Sequence, residues 1–125
     1  MNNTKKPENP GAFFEKLALE YLQKQGAYLL QSNYRCRYGE IDLIMKHQKT
    51  ITFVEVRKRD SCCHGSPLET VDYRKQQKII RSAYTYLKEH RLYETMPCRF
   101  DIVGVTLQKE EYHLTWHKNA YSEEG

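Results

Sequence analysis

No apolar run in this chain approaches the about 20 residues that a membrane-spanning helix requires, so an α-helical anchor is excluded. Internal repeats, low-complexity tracts and heptads are also missing, which excludes solenoids and coiled coils. Glycine is scarce, six in 125 residues, and no glycine-rich phosphate loop or ATP site is formed. The four cysteines (Cys36, Cys62, Cys63 and Cys98) include no CxxC pair. Cys62-Cys63-His64 is suggestive of zinc, but adjacent cysteines are poor chelate spacing, and loop and core thiols are the better reading. The stretch from Met1 to Glu8 lacks the apolar segment of a secretory signal. A cytoplasmic protein with reduced thiols is therefore expected, with no membrane partner. Strong charge bias is missing as well. Lys and Arg number 20 against 16 Asp and Glu, giving +4 at pH 7. That balance permits nucleic acid as a partner and fits ordinary solubilising charge equally well.

What is present is enough for one domain with a sizeable core. Residues 11–117 are expected to form it, between flexible tails at 1–10 and 118–125. The stretch from Gly39 to Arg57 organises it. Ile41, Leu43 and Met45 alternate with Glu40, Asp42 and Lys46, with Ile44 as the exception, and Ile51 and Phe53 continue in phase to Glu55 and Arg57. Period two on both sides of the short polar link His47-Gln48-Lys49-Thr50 predicts a β-hairpin. Side chains i and i+2 share a strand face, so Glu55 and Arg57 point one way and Thr52, Val54 and Val56 the other. The hairpin should set Asp42 beside Glu55. Carboxylates gathered in this way repel unless a cation lies between them.

Before the hairpin, Phe14, Leu17, Ala18, Tyr21 and Leu22 follow the 3.6 period of a helix that Gly26 terminates. Glu15 and Glu20 lie at the margins of its apolar stripe. A margin acid can reach a neighbouring site or can be a solvated helix residue. Residues 27–35 read as a strand. Arg35, Arg37 and Tyr38 then mix cations with aromatic rings, a combination suited to phosphate and base contact. After Arg57 the chain is polar from Lys58 to Pro67 and reads as a mobile loop, in which Lys58 and Arg59 would draw a backbone phosphate. A second helix is expected from Asp72 to His90, with Ile79, Ile80, Ala83, Tyr84 and Leu87 on its apolar face. Arg74, Lys78 and Arg81 lie opposite, with Lys75 between. Gln76 falls within the apolar stripe. It either meets a group at the site edge or caps backbone in the first helical turn. Cys98–Leu107 reads as a buried strand whose Asp101 pairs with a nearby arginine. His113–His117 completes the expected elements as an edge strand. Two amphipathic helices over a central mixed sheet make an α/β fold.

Two carboxylates, Asp42 and Glu55, with the backbone carbonyl of Val56, form an oxygen donor set that suits Mg2+ or Mn2+. Such an ion neutralises charge on a scissile phosphate. A cation on the Glu55 face can hold the attacking water or stabilise the pentacovalent state.

Gly39-Glu40-Ile41-Asp42-Leu43-Ile44, Phe53-Val54-Glu55-Val56-Arg57, Arg74-Lys75-Gln76 and Cys98-Arg99-Phe100-Asp101-Ile102-Val103 together resemble the YraN-like family of bacterial proteins. That family is similar to the restriction-endonuclease-like PD-(D/E)xK superfamily and, within it, to the archaeal-type Holliday junction resolvases. The resemblance implies a restriction-endonuclease-like α-β-β-β-α-β core and a metal-dependent nuclease acting on DNA. It makes Asp42 and Glu55 metal ligands, Glu15 the helix-borne acid that completes the site, and Gln76 the residue facing it. Arg57 stands at the usual Lys position. An arginine keeps its proton, so it can orient a water or a phosphate but cannot serve as a general base. Ile41 replaces the usual proline and Phe14 the usual glycine. Three functions compete. The first is an Mg2+- or Mn2+-dependent endonuclease for branched or structured DNA, working as a homodimer as the resolvase analogy suggests. The second is a nucleic-acid-binding protein using Arg35, Arg37, Lys58, Arg59, Arg74, Lys75 and Lys78 without cleavage. The third is an interaction scaffold.

Overall fold

The computed structural model describes residues 9–59 and 71–122. Of the expected N-terminal tail 1–10, residues 1–8 lie outside the described residues, as do the polar stretch 60–67 with Cys62-Cys63-His64 and residues 123–125, whereas Asn9 and Pro10 belong to the start of the first helix rather than to a tail.

Helix α1 (Pro10–Lys24) starts from a sequence made for it. Asn9 is the N-cap, its side chain accepting from the Ala12 N–H, and Pro10 occupies the first turn. Pro there sacrifices no helical hydrogen bond and presets φ. The chain leaves the helix through Gly26, whose φ is +98°. A Cβ built at Gly26 meets nothing within 4 Å, so Gly26→Ala probes backbone strain alone. It is expected to lower stability by about 1–2 kcal/mol in urea denaturation; no change would mean that the turn relaxes.

Strand β1 (Ala27–Cys36) pairs antiparallel with β2 (Gly39–His47), and β2 pairs antiparallel with β3 (Thr50–Arg59) through a two-residue turn at Gln48 and Lys49. Helix α2 (Tyr73–Glu89) crosses from β3 to β4 (Cys98–Gln108), which runs parallel to β3. β5 (Glu111–Tyr121) returns antiparallel, completing a mixed sheet in the order β1-β2-β3-β4-β5. A parallel pair needs such a crossover, whereas the antiparallel pairs need only turns. The observed order is the expected α-β-β-β-α-β with one further strand. β5 runs to Tyr121, so residues 118–121 belong to the sheet rather than to a tail. Lys58 and Arg59 likewise belong to β3 and not to a loop. β3 extends that far because its partner β4 continues beside it, with Arg59 opposite Thr106.

Each helix covers one face. Ala18 and Leu22 of α1 pack with Leu43, Met45, Val54, Val103 and Val105. Ile79, Ile80, Ala83, Tyr86 and Leu87 of α2 pack with Ile44, Ile51, Phe53 and Ile102. Two alternation details differ from the sequence reading. Ile41 joins the α2-side core although Leu43 and Met45 face α1. The face changes next to an irregular point in β1, where Asn33 takes a φ of 53° between the pairs Ser32↔Leu43 and Tyr34↔Ile41. On α2 the buried aromatic is Tyr86, edge-on to Tyr34 and Phe53, while Tyr84 is only half-buried. Tyr86 lies three residues from Ala83 and is as compatible with the helical period as Tyr84.

Candidate functional site

The β2–β3 ladder ends at Leu43↔Val54. One step further, the register sets Asp42 across from Glu55. Here the Val56 N–H donates to Asp42 Oδ2 at 2.8 Å, so a side chain takes a backbone donor beyond the ladder's last pair. Glu55 faces α2, in phase with Ile51 and Phe53, and is only 4% exposed. Buried carboxylates need partners. Glu55 Oε2 finds two: Lys75 Nζ from the first turn of α2 at 2.6 Å, and Arg57 Nη1 at 3.3 Å.

Asp42 is less well served. Burial first, and then the Glu55 charge, push its carboxyl up to about 8, with Glu15 adding to the rise and the Val56 N–H and Lys75 opposing it. Glu15, on α1, is raised too. Burial is the main cause, Glu40 and Glu55 add to it, and the neighbouring Asn33 and Asp42 side chains pull it back down. The three acids thus feel one another at one end of the sheet. Among the described residues, no three His, Cys, Asp or Glu side chains are arranged to share a metal ion directly. Hard-oxygen donors from Asp42 and Glu55, already repelling one another, nevertheless fit a divalent cation completed by a carbonyl and waters.

A carboxyl raised from an ordinary 3.8 to about 8 makes a prediction. Between those values the unfolded chain gives up a proton that the folded chain keeps. The stabilising contribution is full below about pH 4 and is lost as pH rises toward 8. In EDTA, Asp42→Asn should therefore melt above the wild type, by a margin that widens from pH 5 to pH 8. Parallel melting curves across that range would contradict the assignment.

The other expected residues fall as follows. Gln76 Nε2 donates to the Val71 carbonyl at 2.9 Å, so its amide nitrogen caps backbone at the start of α2. Lys75, expected on the nucleic-acid surface, reaches into the site instead. Arg35 pairs with Glu40 at 3.5 Å, and Arg37 Nη2 donates to Tyr38 Oη at 2.9 Å. Lys78 lies beside the turn between β1 and β2, its Cβ 3.8 Å from where a Cβ on Gly39 would be. Lys58 is exposed and sits over the Phe14 ring, 5.8 Å from its centre. Arg59 is half-buried in β3, and Arg74 is exposed in the first turn of α2. The β1–β2 turn, the C-terminal end of β3 and the N-terminal end of α2 share one end of the sheet, so these cations border the acids.

Sequence reasoning missed Tyr121. Its hydroxyl is buried and has no hydrogen-bond partner, and its ring stacks on Phe100. Burial raises its pKa, followed by the charges of Glu55, Asp101 and Asp42. The only available signal was an aromatic residue in a stretch read as a tail. Asp101 is structural, as expected. Arg99 Nε donates to both of its oxygens at 3.0 Å.

Among the described residues no helix is long and apolar enough to cross a membrane. A protein from Stutzerimonas stutzeri is 43% identical over 114 residues, covering 91% of this chain and 95% of its own. One from Coxiella burnetii is 46% identical over 106 residues, covering 85% and 86%. Both carry the name UPF0102 protein. The structure of Pyrococcus furiosus SfsA in complex with Ca2+ aligns with a TM-score of 0.36 and 13% identity over 86% of this chain, which spans 62% of that protein's length. Residues 14–105 match the Uncharacterised protein family UPF0102, the YraN family of the sequence resemblance, and the chain belongs to that family.

Proposed function

We propose that this chain is a divalent-metal-dependent endonuclease, cytoplasmic and dimeric, that hydrolyses phosphodiester bonds in branched or otherwise structured DNA. The observation that carries this reading is the pairing of Asp42 with the buried Glu55 at a sheet end bordered by cations. Asp42, Glu55 and the Val56 carbonyl would hold Mg2+ or Mn2+, with Glu15 completing the acidic wall. The bound ion supplies charge neutralisation at a phosphoryl oxygen and a water of lowered pKa. The Val56 N–H fixes Asp42, and Arg57, half-buried and on the Glu55 face, is placed to hold a phosphate oxygen. Arg35, Arg37, Lys58, Arg59, Arg74 and Lys78 neutralise flanking phosphates, a sequence-independent attraction that falls with salt.

A second reading, DNA binding without turnover, is favoured by one observation. The cation two residues after Glu55 is an arginine and cannot accept a proton. Incubation with four-way junction, flap and linear DNA separates the two. Cleavage of a structured substrate in Mg2+ or Mn2+, and none in EDTA, is the expected result. Salt-dependent binding without cleavage in either metal, weakened by reversing the charges of Arg74 and Lys78, would establish the second reading and overturn the first.

A further inference from the structure

The shortest ion pair at the site, Lys75 Nζ to Glu55 Oε2 at 2.6 Å, joins a buried carboxylate to a side chain that is 41% exposed. The two ends of this contact differ in freedom. Glu55 is fixed in the central strand β3, opposite Ile102 of β4. The Lys75 backbone is equally fixed, its N–H donating to the N-cap oxygen Asp72 Oδ1 at 2.8 Å. Its four-carbon stem is not fixed. Lysine carries a compact point charge on a flexible arm, whereas Arg57, which touches the same oxygen at 3.3 Å, carries a wide planar fork. A divalent ion shared with Asp42 would have to bind this same carboxylate, within a few ångströms of the ammonium on its Oε2. An ammonium and a divalent cation cannot both sit against one carboxylate without strong mutual repulsion.

We infer that Lys75 is a built-in substitute for the metal: it holds Glu55 in the metal-free protein and is displaced when the divalent ion binds. The inference rests on the metal-dependent reading above. It assigns Lys75 a positioning role distinct from the general nucleic-acid contacts. The substitute keeps a buried acid compensated while the metal is absent. It also sets a threshold, because the ion must expel a cation to enter. Once displaced, the ammonium remains at the N-terminal end of α2 beside Arg74, where a substrate phosphate is its available partner.

The test is calorimetric titration of Mn2+ into the whole chain, with thermal melting in EDTA and in saturating Mn2+. Lys75→Met should melt below the wild type in EDTA, bind Mn2+ at least about tenfold more tightly through loss of the competing charge, and melt like the wild type once Mn2+ is saturating. Lys75→Gln, which keeps a polar tip, should show the same gain in affinity and guards against a folding defect in the first variant. Wild-type Mn2+ binding that neither variant tightens would overturn the inference and leave the proposed function standing. If neither the wild type nor the variants take up Mn2+, both fall.

Discussion

Asp42→Ala and Glu55→Ala are each expected to reduce the proposed metal-dependent DNA cleavage by about a thousandfold or more, equivalent to about 4 kcal/mol of transition-state stabilisation. The size follows from what each carboxylate would do. Asp42 and Glu55 would supply the two anionic donors, and a site left with one would have neither the charge nor the geometry to keep a hard cation in place. Loss of fold is not the cause to expect in Asp42→Ala. Burial and Glu55 push its carboxyl up to about 8, so near pH 7 it is mostly protonated in the metal-free protein, and its removal costs mainly the acceptor of the Val56 N–H, a modest loss. Glu55→Ala is different. It leaves the Lys75 ammonium without its buried partner, and melting curves must accompany the assay. Cleavage that persists in both variants would mean that the activity belongs to a contaminant or to another site.

Asp101→Ala should be the most destabilising polar substitution in the described residues, costing about 3–5 kcal/mol. Asp101 is fully buried at 0% exposure. Its oxygens accept from Arg99 Nε twice, from Trp116 Nε1 at 2.9 Å and from the Asn119 N–H at 2.8 Å. Truncation leaves a largely buried guanidinium and two N–H donors without an acceptor, each expensive in a low-dielectric interior. Next to them, Arg99 Nη2 meets His47 Nδ1 at 3.2 Å. Burial, then Lys118 and Arg99, lowers the His47 pKa, which favours the neutral ring, the form able to accept that bond. Asp101→Asn should recover little, because its amide nitrogen would meet donors. Since a domain of this size holds only about 5–15 kcal/mol in total, the effect is large in urea denaturation. A loss under 1 kcal/mol would show that β4 and β5 do not depend on the network.

The difference between those two acids was legible in the sequence only in part. Asp42 and Glu55 stood out because they interrupt two apolar runs of near-regular period two, and a short turn fixes the register of a hairpin. The helices were legible from their apolar period and, for α1, from Gly26 at its end, whereas Asn9 and Pro10 were read as tail although they cap and begin α1. The contacts made by long side chains were not. Lys75 lies twenty positions from Glu55, and its wheel position, between the apolar and basic faces, did not say which way its stem bends. Of the Asp101 partners, Arg99 is the expected arginine, but the Asn119 N–H required knowing that β5 continues past His117. It does so because Asn119 is bonded to Asp101 and Tyr121 is stacked on Phe100, both long-range conditions. Gln76 was left between two readings, and its amide nitrogen takes the local one at the Val71 carbonyl.

The most direct test of the account is whether Asp42 and Glu55 hold one divalent ion between them. Calorimetric titration of Mn2+ at pH 7, repeated in buffers of different ionisation enthalpy, reads both binding and proton release. The account predicts a binding event that releases a proton, since a carboxyl held at about 8 must ionise to become a ligand. It predicts loss of that event in Asp42→Asn and in Glu55→Gln. Heats that are unchanged in both variants, or the absence of any Mn2+ binding to the wild type, would contradict it.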